Sequence, residues 1–193
     1  MLSHKAHSLS LYLPGHSTRP FLSSIEKKWI TFQLLTALKD LHARKISHGD
    51  IKSENVLVTS WNWVYLSDFS SSFKPVYLPE DDPSDFSYFF DTSGRRTCYV
   101  APERFYTADS EISRKKAGLE VGRSLGKVNE QMDVFSLGCV LGELLVEGSP
   151  PFTLSQLFKY RSSEYSLEPY LAQIEDEALR VSGSGCFPCL ESC

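Results

Sequence analysis

The stretch from residue 48 to residue 58, HGDIKSENVLV, contains an aspartate, a lysine and an asparagine within six positions. Asp50, Lys52 and Asn55 follow one another in D-x-K-x-x-N spacing, and a further carboxylate, Asp68, follows in the run LSDFS. Phosphoryl transfer needs a carboxylate that orients the attacking hydroxyl, oxygen ligands for Mg²⁺ and cations that neutralise the phosphates. The residue types therefore predict phosphoryl transfer, and the alternative interpretation is a polar turn before a strand.

Two predicted elements flank this stretch and would hold it in place. Residues 23–45 carry apolar side chains at helical spacing, and Ser23 with Glu26 form a capping-box pattern at the start of that helix. After the stretch, two β-rich runs, Val56 to Val58 and Val64 to Leu66, surround a polar tip and predict a hairpin. The polar stretch is therefore expected to lie between a helix and a hairpin.

The rest of the chain predicts a long loop followed by a helical half. From Asp68 to Glu103 no periodic pattern persists, and Pro75, Pro79 and Pro83 interrupt the segment, so we expect a functional loop. Residues 131–148, QMDVFSLGCVLGELLVEG, are apolar nearly all round, which indicates a helix buried in the centre of the domain. Residues 154–180 predict helices with interruptions.

The composition is typical of a globular protein that resides in the cytoplasm. The 193 residues are 41% hydrophobic with a net charge of −4 and no dense cluster of Lys and Arg, so no nucleic-acid partner is expected. No apolar run predicts a membrane span or a secretory signal, and Leu2 excludes an N-myristoylation signal. Cys98 and Cys139 are expected in the core, whereas the lone CFPC motif at 186–189 lacks a second pair of zinc ligands.

Four motifs in order resemble the C-terminal lobe of a eukaryotic protein kinase: D-x-K-x-x-N, DFS, APE at 101–103 and DVFSLG at 133–138. HGDIKSENVLVTSWNWVYLSDF, YLPEDDPSDFSYFFDTS and RRTCYVAPERF further resemble the protein-kinase domain of the large regulatory subunits of class III phosphatidylinositol 3-kinase, from about Ser17 to Arg180. The resemblance implies an α+β protein kinase-like fold, mainly the helical C-terminal lobe with a short β-hairpin and without the N-terminal lobe.

The resemblance also implies roles for the residues of the polar stretch. Asp50 is then the catalytic base, Lys52 contacts the transferred phosphate, and ATP and Mg²⁺ are the cofactors. By the same resemblance Asn55 and Asp68 hold Mg²⁺, and Leu57 lies under the adenine of ATP.

Five other side chains carry structural expectations. His48 has no proton to transfer in the kinase mechanism, so we expect it to form hydrogen bonds in the core. Asp133 is expected to accept backbone N–H bonds from the catalytic loop, and Glu103 is expected to be buried without its family partner. Trp61 and Trp63 at the hairpin tip are expected to pack, although their exposure would favour a partner site.

The sequence departs from the protein-kinase pattern at three positions. Gly49 stands where an arginine is usual, which predicts a loop that orders without phosphorylation. Ser70 replaces the glycine that usually follows Asp-Phe, and Arg96 stands where serine/threonine kinases usually have a threonine.

The domain boundaries follow from where the resemblance fades. We expect a partial C-terminal lobe at 17–181, flanked by a divergent, disordered N-terminus at 1–16 and a disordered tail at 182–193. No Gly-rich phosphate loop precedes the first long helix, so the chain is expected to be truncated.

Three alternative functions follow from the resemblance. The first is phosphoryl transfer from ATP to Ser or Thr of a protein, supported by intact Asp50, Asn55 and Asp68. The second is a pseudokinase-like scaffold that binds and regulates the catalytic lipid kinase subunit in endosomal sorting and autophagy, peripheral to endosomal and autophagic membranes, and the three departures favour it. The third is an inactive truncated product.

Overall fold

The computed structural model of the chain describes residues 6–12, 22–69, 74–117, 126–177, 179–180 and 187. Within these ranges, six α-helices and five short β-strands form a mixed helix and sheet fold, as the predicted α+β class requires. None of the helices in these ranges is long and apolar enough to cross a membrane.

Helix α1 spans Ser24–Ala43 and begins at the predicted capping box. The Ser23 hydroxyl accepts the Glu26 N–H at 3.3 Å, and the Glu26 carboxylate accepts the Ser23 N–H at 2.8 Å. These bonds satisfy two N–H groups that the first turn leaves without helical partners. The prediction of this helix and of its start is therefore confirmed. Its buried side chains recur at helical spacing: Ile30, Thr31, Leu34 and Leu38.

The long helix α4, Glu130–Leu145, is the centre of the domain. It begins at Asn129, whose side chain accepts the Met132 N–H at 2.9 Å. Most of its side chains are buried, and it packs against α1. The predicted central helix is confirmed. A helix that is apolar on all sides is stable only where other elements cover every side of it.

The predicted hairpin is also confirmed and forms two strands of a three-stranded sheet. Strands β2, Val56–Thr59, and β3, Val64–Leu66, pair antiparallel. Strand β1, Ala6–Ser8, pairs antiparallel with the other edge of β2 and places Ser8 opposite Leu57.

The prediction of a disordered N-terminus is wrong for residues 6–12. Ala6–Ser8 supplies hydrogen-bond partners to the edge of β2, which otherwise presents unpaired N–H and C=O groups. A short 3-10 helix, Leu9–Tyr12, follows, and it buries Leu9 completely. Residues 1–5 and 13–16 lie outside the described ranges.

The long loop contains more regular structure than its sequence predicts. Strand β4, Leu78–Pro79, pairs in parallel with β5, Phe105–Tyr106, and helix α2 spans Ser84–Phe89. Helix α2 is anchored by Phe86 and Phe90, which are buried and stack at 6.4 Å between ring centroids. A helix of six residues is too short to show the helical spacing of apolar side chains, so the sequence of this segment does not reveal α2.

Short helices complete the fold. The interrupted pattern of residues 154–180 is confirmed by α5, Leu154–Arg161, and α6, Glu168–Leu171, whereas helix α3, Glu111–Ala117, was not predicted. The predicted disordered tail is wrong at Phe187, which is buried and packs edge-on against Phe135 at 5.5 Å. The other residues of 182–193 lie outside the described ranges.

The expectation that Glu103 is buried is wrong. The short 3-10 helix Pro102–Arg104 leaves Glu103 exposed and turns the neighbouring Arg104 into the interior. Glu103 therefore carries no desolvated charge. Cys98 and Cys139 are buried free cysteines, as expected, and burial raises the pKa of Cys98 to about 12.

Candidate active site

The central helix holds the start of the catalytic stretch by two backbone bonds. Asp133 of α4 is buried, and its two carboxylate oxygens accept the His48 N–H at 2.7 Å and the Gly49 N–H at 2.8 Å. The expected role of Asp133 is confirmed. Gly49 has a φ of 81°, a conformation that glycine adopts at little cost. A side chain at this position would be strained in the observed backbone.

His48 is a buried hydrogen-bonding residue, as expected. Its Nε2–H donates to the Ser67 carbonyl at 2.9 Å, which leaves Nδ1 to accept the Asp50 N–H at 3.3 Å. These bonds join the stretch before Asp50 to the end of β3. Burial lowers the pKa of His48, because the charged imidazolium loses its hydration there.

His48 is therefore expected to make stability depend on pH. Below a pH of about 6.5, the ordinary pKa of histidine, His48 binds a proton in the unfolded chain but stays neutral in the folded chain. The free energy of unfolding therefore falls as the pH drops from that value through the lowered pKa of folded His48. We expect His48→Gln to flatten the fall in unfolding free energy between about pH 7 and about pH 5. Urea unfolding of both chains across this range measures it, and parallel curves would contradict the expectation.

Four of the five predicted site residues line one cavity of about 340 Å³. They are Asp50, Lys52, Asn55 and Asp68, and Phe69, Lys74 and Thr92 complete the lining. Leu57, the fifth, lies in the middle of β2 opposite Tyr65 and is outside this lining. The structure thus brings together the groups predicted for the base, the phosphate and the metal.

The Asp50 carboxylate is buried and surrounded by donors. Its Oδ2 accepts a bond from Asn55 Nδ2 at 2.9 Å and from Lys74 Nζ at 2.5 Å, and Lys52 Nζ lies 3.8 Å away. Asn55 Nδ2 also donates to the Asp50 carbonyl at 2.8 Å, and Lys52 donates to the Phe90 carbonyl at 3.3 Å. Both lysines that face the cavity are therefore engaged within the chain.

No motif marks Lys74, although one sequence signal was available. It is the only Lys or Arg between Asp68 and Arg95, in a segment rich in acidic and aromatic residues. A lone cation in a loop that crosses an acidic site is a candidate for pairing with that site.

Asp68 faces solvent at the mouth of the cavity. It is exposed, and the Ser67 hydroxyl donates to its carboxylate at 3.5 Å. Mg²⁺ prefers oxygen ligands and keeps several waters, so the amide of Asn55 and the carboxylate of Asp68 fit it chemically. In the described ranges no group of three or more His, Cys, Asp and Glu residues could hold a metal by itself. Ser70, Cys186 and Cys189 lie outside those ranges.

A buried polar network lies behind the catalytic stretch and was not predicted. Glu143 of α4 is fully buried, and its carboxylate accepts bonds from the Tyr99 hydroxyl at 2.6 Å and from the Arg95 guanidinium. Arg95 also donates to Ser53 Oγ at 3.1 Å, and the Tyr99 hydroxyl lies 2.9 Å from the same oxygen. Burial raises the pKa of Glu143 and holds that of Tyr99 well above its ordinary value.

The two tryptophans at the hairpin tip are largely exposed, although Trp63 packs against Trp29 of α1. Trp61 is 68% exposed and Trp63 is 55% exposed. Trp63 meets Trp29 of α1 edge-on at 5.9 Å, and Trp29 stacks on Phe32 at 5.8 Å. We call these four side chains the aromatic patch. Large exposed aromatic groups in contact with one another are typical of interaction surfaces.

A second cavity, of about 410 Å³, lies beside the start of α1. Both of its lysines pair with carboxylates of the same lining, Lys27 with Glu147 at 2.6 Å and Lys28 with Asp176 at 2.5 Å. The cavity at Asp50 is therefore the candidate active site.

Comparison with known proteins supports the resemblance. A model of the protein kinase domain matches residues 6–178, which includes strand β1. Serine/threonine-protein kinase vps15 of Schizosaccharomyces pombe is 57% identical over 163 residues, 84% of this chain and 9% of that protein. Serine/threonine-protein kinase VPS15 of Arabidopsis thaliana is 53% identical over 85% of this chain and 10% of that protein. Serine/threonine-protein kinase VPS15 of Saccharomyces cerevisiae is 55% identical over 78% of this chain and 10% of that protein.

The chain spans about a tenth of the length of these relatives. The match over residues 6–178 confirms the predicted protein kinase-like fold and the resemblance to this group of serine/threonine protein kinases.

Proposed function

Because the chain belongs to the protein kinase domain family, we propose that it carries the catalytic half of a serine/threonine protein kinase site. The observation that supports this most is the convergence of Asp50, Lys52, Asn55 and Asp68 on one cavity. The substrates are Mg-ATP and a hydroxyl group of a protein, and the reaction is transfer of the γ-phosphoryl group to that hydroxyl.

Each residue has a defined task in this reaction. Asp50 orients the hydroxyl and accepts its proton, and Lys52 neutralises charge on the transferred phosphoryl group. Asn55 and Asp68 would hold Mg²⁺, which when bound screens the negative charge of the phosphates. Leu57 is proposed to contact the adenine.

The test is Asp50→Asn in a full-length protein of this family, because the amide keeps the shape of the side chain but accepts no proton. Loss of protein phosphorylation, by roughly a hundredfold or more, supports the proposal. Phosphorylation at the unaltered level would contradict it. Asp109→Asn, an exposed aspartate outside the cavity lining, is the matched control.

The aromatic patch supports a second proposed function, that of a scaffold. We propose that Trp29, Phe32, Trp61 and Trp63 contribute to a surface that binds the catalytic subunit of class III phosphatidylinositol 3-kinase. Three of the exposed rings, those of Trp29, Phe32 and Trp63, contact one another, and Gly49 and Arg96 depart from the pattern of an active kinase. On this proposal the protein acts at the cytoplasmic face of endosomal and autophagic membranes.

Replacement of Trp61 and Trp63 by serine in the full-length protein tests the scaffold. We expect co-purification of the catalytic lipid kinase subunit to fall at least about tenfold, since aromatic anchors carry much of the binding energy of interfaces. Tyr88→Ser, at a 76% exposed tyrosine of α2, is the control and should leave co-purification unchanged. Undiminished co-purification of the double variant would remove the support for this surface.

A further inference from the structure

A lysine of the long loop forms an ion pair with the carboxylate of the proposed base. Lys74 Nζ lies 2.5 Å from Asp50 Oδ2, and only 16% of its side chain is exposed. The same ammonium lies 5.3 Å from the centre of the Phe90 ring, within the range of a cation–π interaction. Both contacts hold Lys74 over the cavity, where a substrate hydroxyl would have to approach Asp50 Oδ2.

A buried arginine fixes the chain immediately after Lys74. The Arg104 guanidinium donates through Nη2 to the Pro75 carbonyl at 2.9 Å and through Nε to the Val76 carbonyl at 2.7 Å. Its Nη1 donates to the Gly49 carbonyl at 2.9 Å. One rigid side chain thus ties the two residues after Lys74 to the residue before Asp50.

All three acceptors of Arg104 are neutral backbone carbonyls. The guanidinium also lies 4.8 Å from the centre of the Phe90 ring, the ring that faces Lys74. Since residue 49 is glycine, this part of the loop is held by Arg104 and not by an arginine that needs a phosphate partner. The arrangement is complete without a modification of the chain.

We propose that Lys74, Pro75, Val76 and Arg104 form a latch that holds the Lys74 ammonium on Asp50 Oδ2 and keeps a substrate hydroxyl off that oxygen. The inference rests on the proposed function, because it matters only if Asp50 is the base. In the latched state Asp50 Oδ2 already accepts two strong bonds, from Asn55 and Lys74. Phosphoryl transfer through this oxygen therefore requires that Lys74 leave it first.

Competitive acetylation of lysines tests the latch on the intact 193-residue chain. A limiting amount of N-hydroxysuccinimide acetate is added to the folded protein, and mass spectrometry of its peptides gives the rate at each lysine. We expect Lys74 to react about tenfold more slowly than Lys115 of α3, whose side chain is 63% exposed.

Two substitutions open the latch at different points. Asp50→Asn removes the charge that holds the ammonium, and Arg104→Met removes the anchor of Pro75 and Val76. Each should raise the rate at Lys74 several-fold, whereas Arg114→Met, at an exposed arginine of α3, should leave it unchanged. Circular dichroism checks that each variant is folded. If Arg104→Met does not fold, the rate at Lys74 in Asp50→Asn alone tests the latch.

Equal rates at Lys74 and Lys115 in the unaltered chain, or no change in Asp50→Asn, would overturn the latch. The acetylation rates do not depend on catalysis. Acetylation rates that contradict the latch would therefore not contradict the proposed function. Likewise, phosphorylation that is unaltered in Asp50→Asn would contradict the proposed function but would not change the acetylation rates.

Discussion

Replacement of Arg95 by methionine is expected to lower the free energy of unfolding near neutral pH by about 3–5 kcal/mol. The methionine fills much of the same space but leaves the fully buried Glu143 carboxylate without its cation. Only the hydroxyl bond from Tyr99 then remains of the two contacts described for that carboxylate. Total stabilities of domains are about 5–15 kcal/mol, so this loss is a large share.

The loss should shrink at low pH, and the sign follows from the pKa of Glu143. Burial raises this pKa, so the stability linked to Glu143 is fully present below its unfolded value, about 4.3, and falls as the pH rises through the folded value. Without Arg95 the folded pKa rises further, and the penalty grows toward neutral pH. Urea unfolding of Arg95→Met and of the unaltered chain, at about pH 4.5 and at about pH 7, measures the loss of unfolding free energy at each pH.

The double variant Arg95→Met with Glu143→Gln provides the decisive control. Glutamine keeps the shape of the side chain without its charge, so the double variant should recover part of the lost stability at neutral pH. A single variant that loses less than about 1 kcal/mol would contradict the account, as would a double variant that is no more stable than the single one.

Replacement of Asp133 by alanine is expected to cost about 2–6 kcal/mol. The carboxylate accepts the buried N–H groups of His48 and Gly49, and each unsatisfied group costs about 1–3 kcal/mol. Asp133→Asn should lie between the alanine variant and the unaltered chain, because its one amide oxygen still accepts a bond. Asp109→Ala, at an exposed aspartate, is the control for charge loss.

Thermal and urea unfolding of these three variants measures the anchoring of the catalytic stretch to α4. If Asp133→Ala unfolds at the same urea concentration as Asp109→Ala, the two backbone bonds do not hold the loop in solution.

The elements predicted correctly from the sequence are those whose signals are long or local. Helices α1 and α4 carry many turns of periodic side chains, and the hairpin of β2 and β3 closes over a short tip. Strand β1 has three residues and pairs with a strand about fifty positions later, so neither its length nor its neighbourhood reveals it. Its partner could be recognised only from the folded sheet.

The site shows the same division between local and long-range information. Asp50, Lys52 and Asn55 lie in one motif, and their roles at one site were expected from the family resemblance. The side chains that restrain them come from elsewhere: Lys74 reaches Asp50 across 24 residues, and Arg104 reaches Gly49 across 55. Such pairs depend on how the long loop packs, which no spacing in the sequence encodes.

The family resemblance was wrong about the burial of one motif residue. Glu103 belongs to the APE motif but is exposed, because the short 3-10 helix turns Arg104 inward at the neighbouring position. A motif specifies residue types, whereas burial depends on the packing of each turn.

Titration calorimetry with Mg-ATP tests the central claim most directly, namely that residues 48–68 form a catalytic half-site with little nucleotide affinity of its own. Lys52 and Lys74 face the cavity but are engaged with the Phe90 carbonyl and Asp50, and Mg²⁺ keeps its waters unless phosphate oxygens help to bind it.

We predict no measurable heat of Mg-ATP binding by the 193-residue chain. The same chain joined to the N-terminal lobe of a kinase of this family should bind Mg-ATP, and Asp68→Ala should abolish that binding. Micromolar binding by the 193-residue chain alone, or binding by the joined protein that survives Asp68→Ala, would contradict the account.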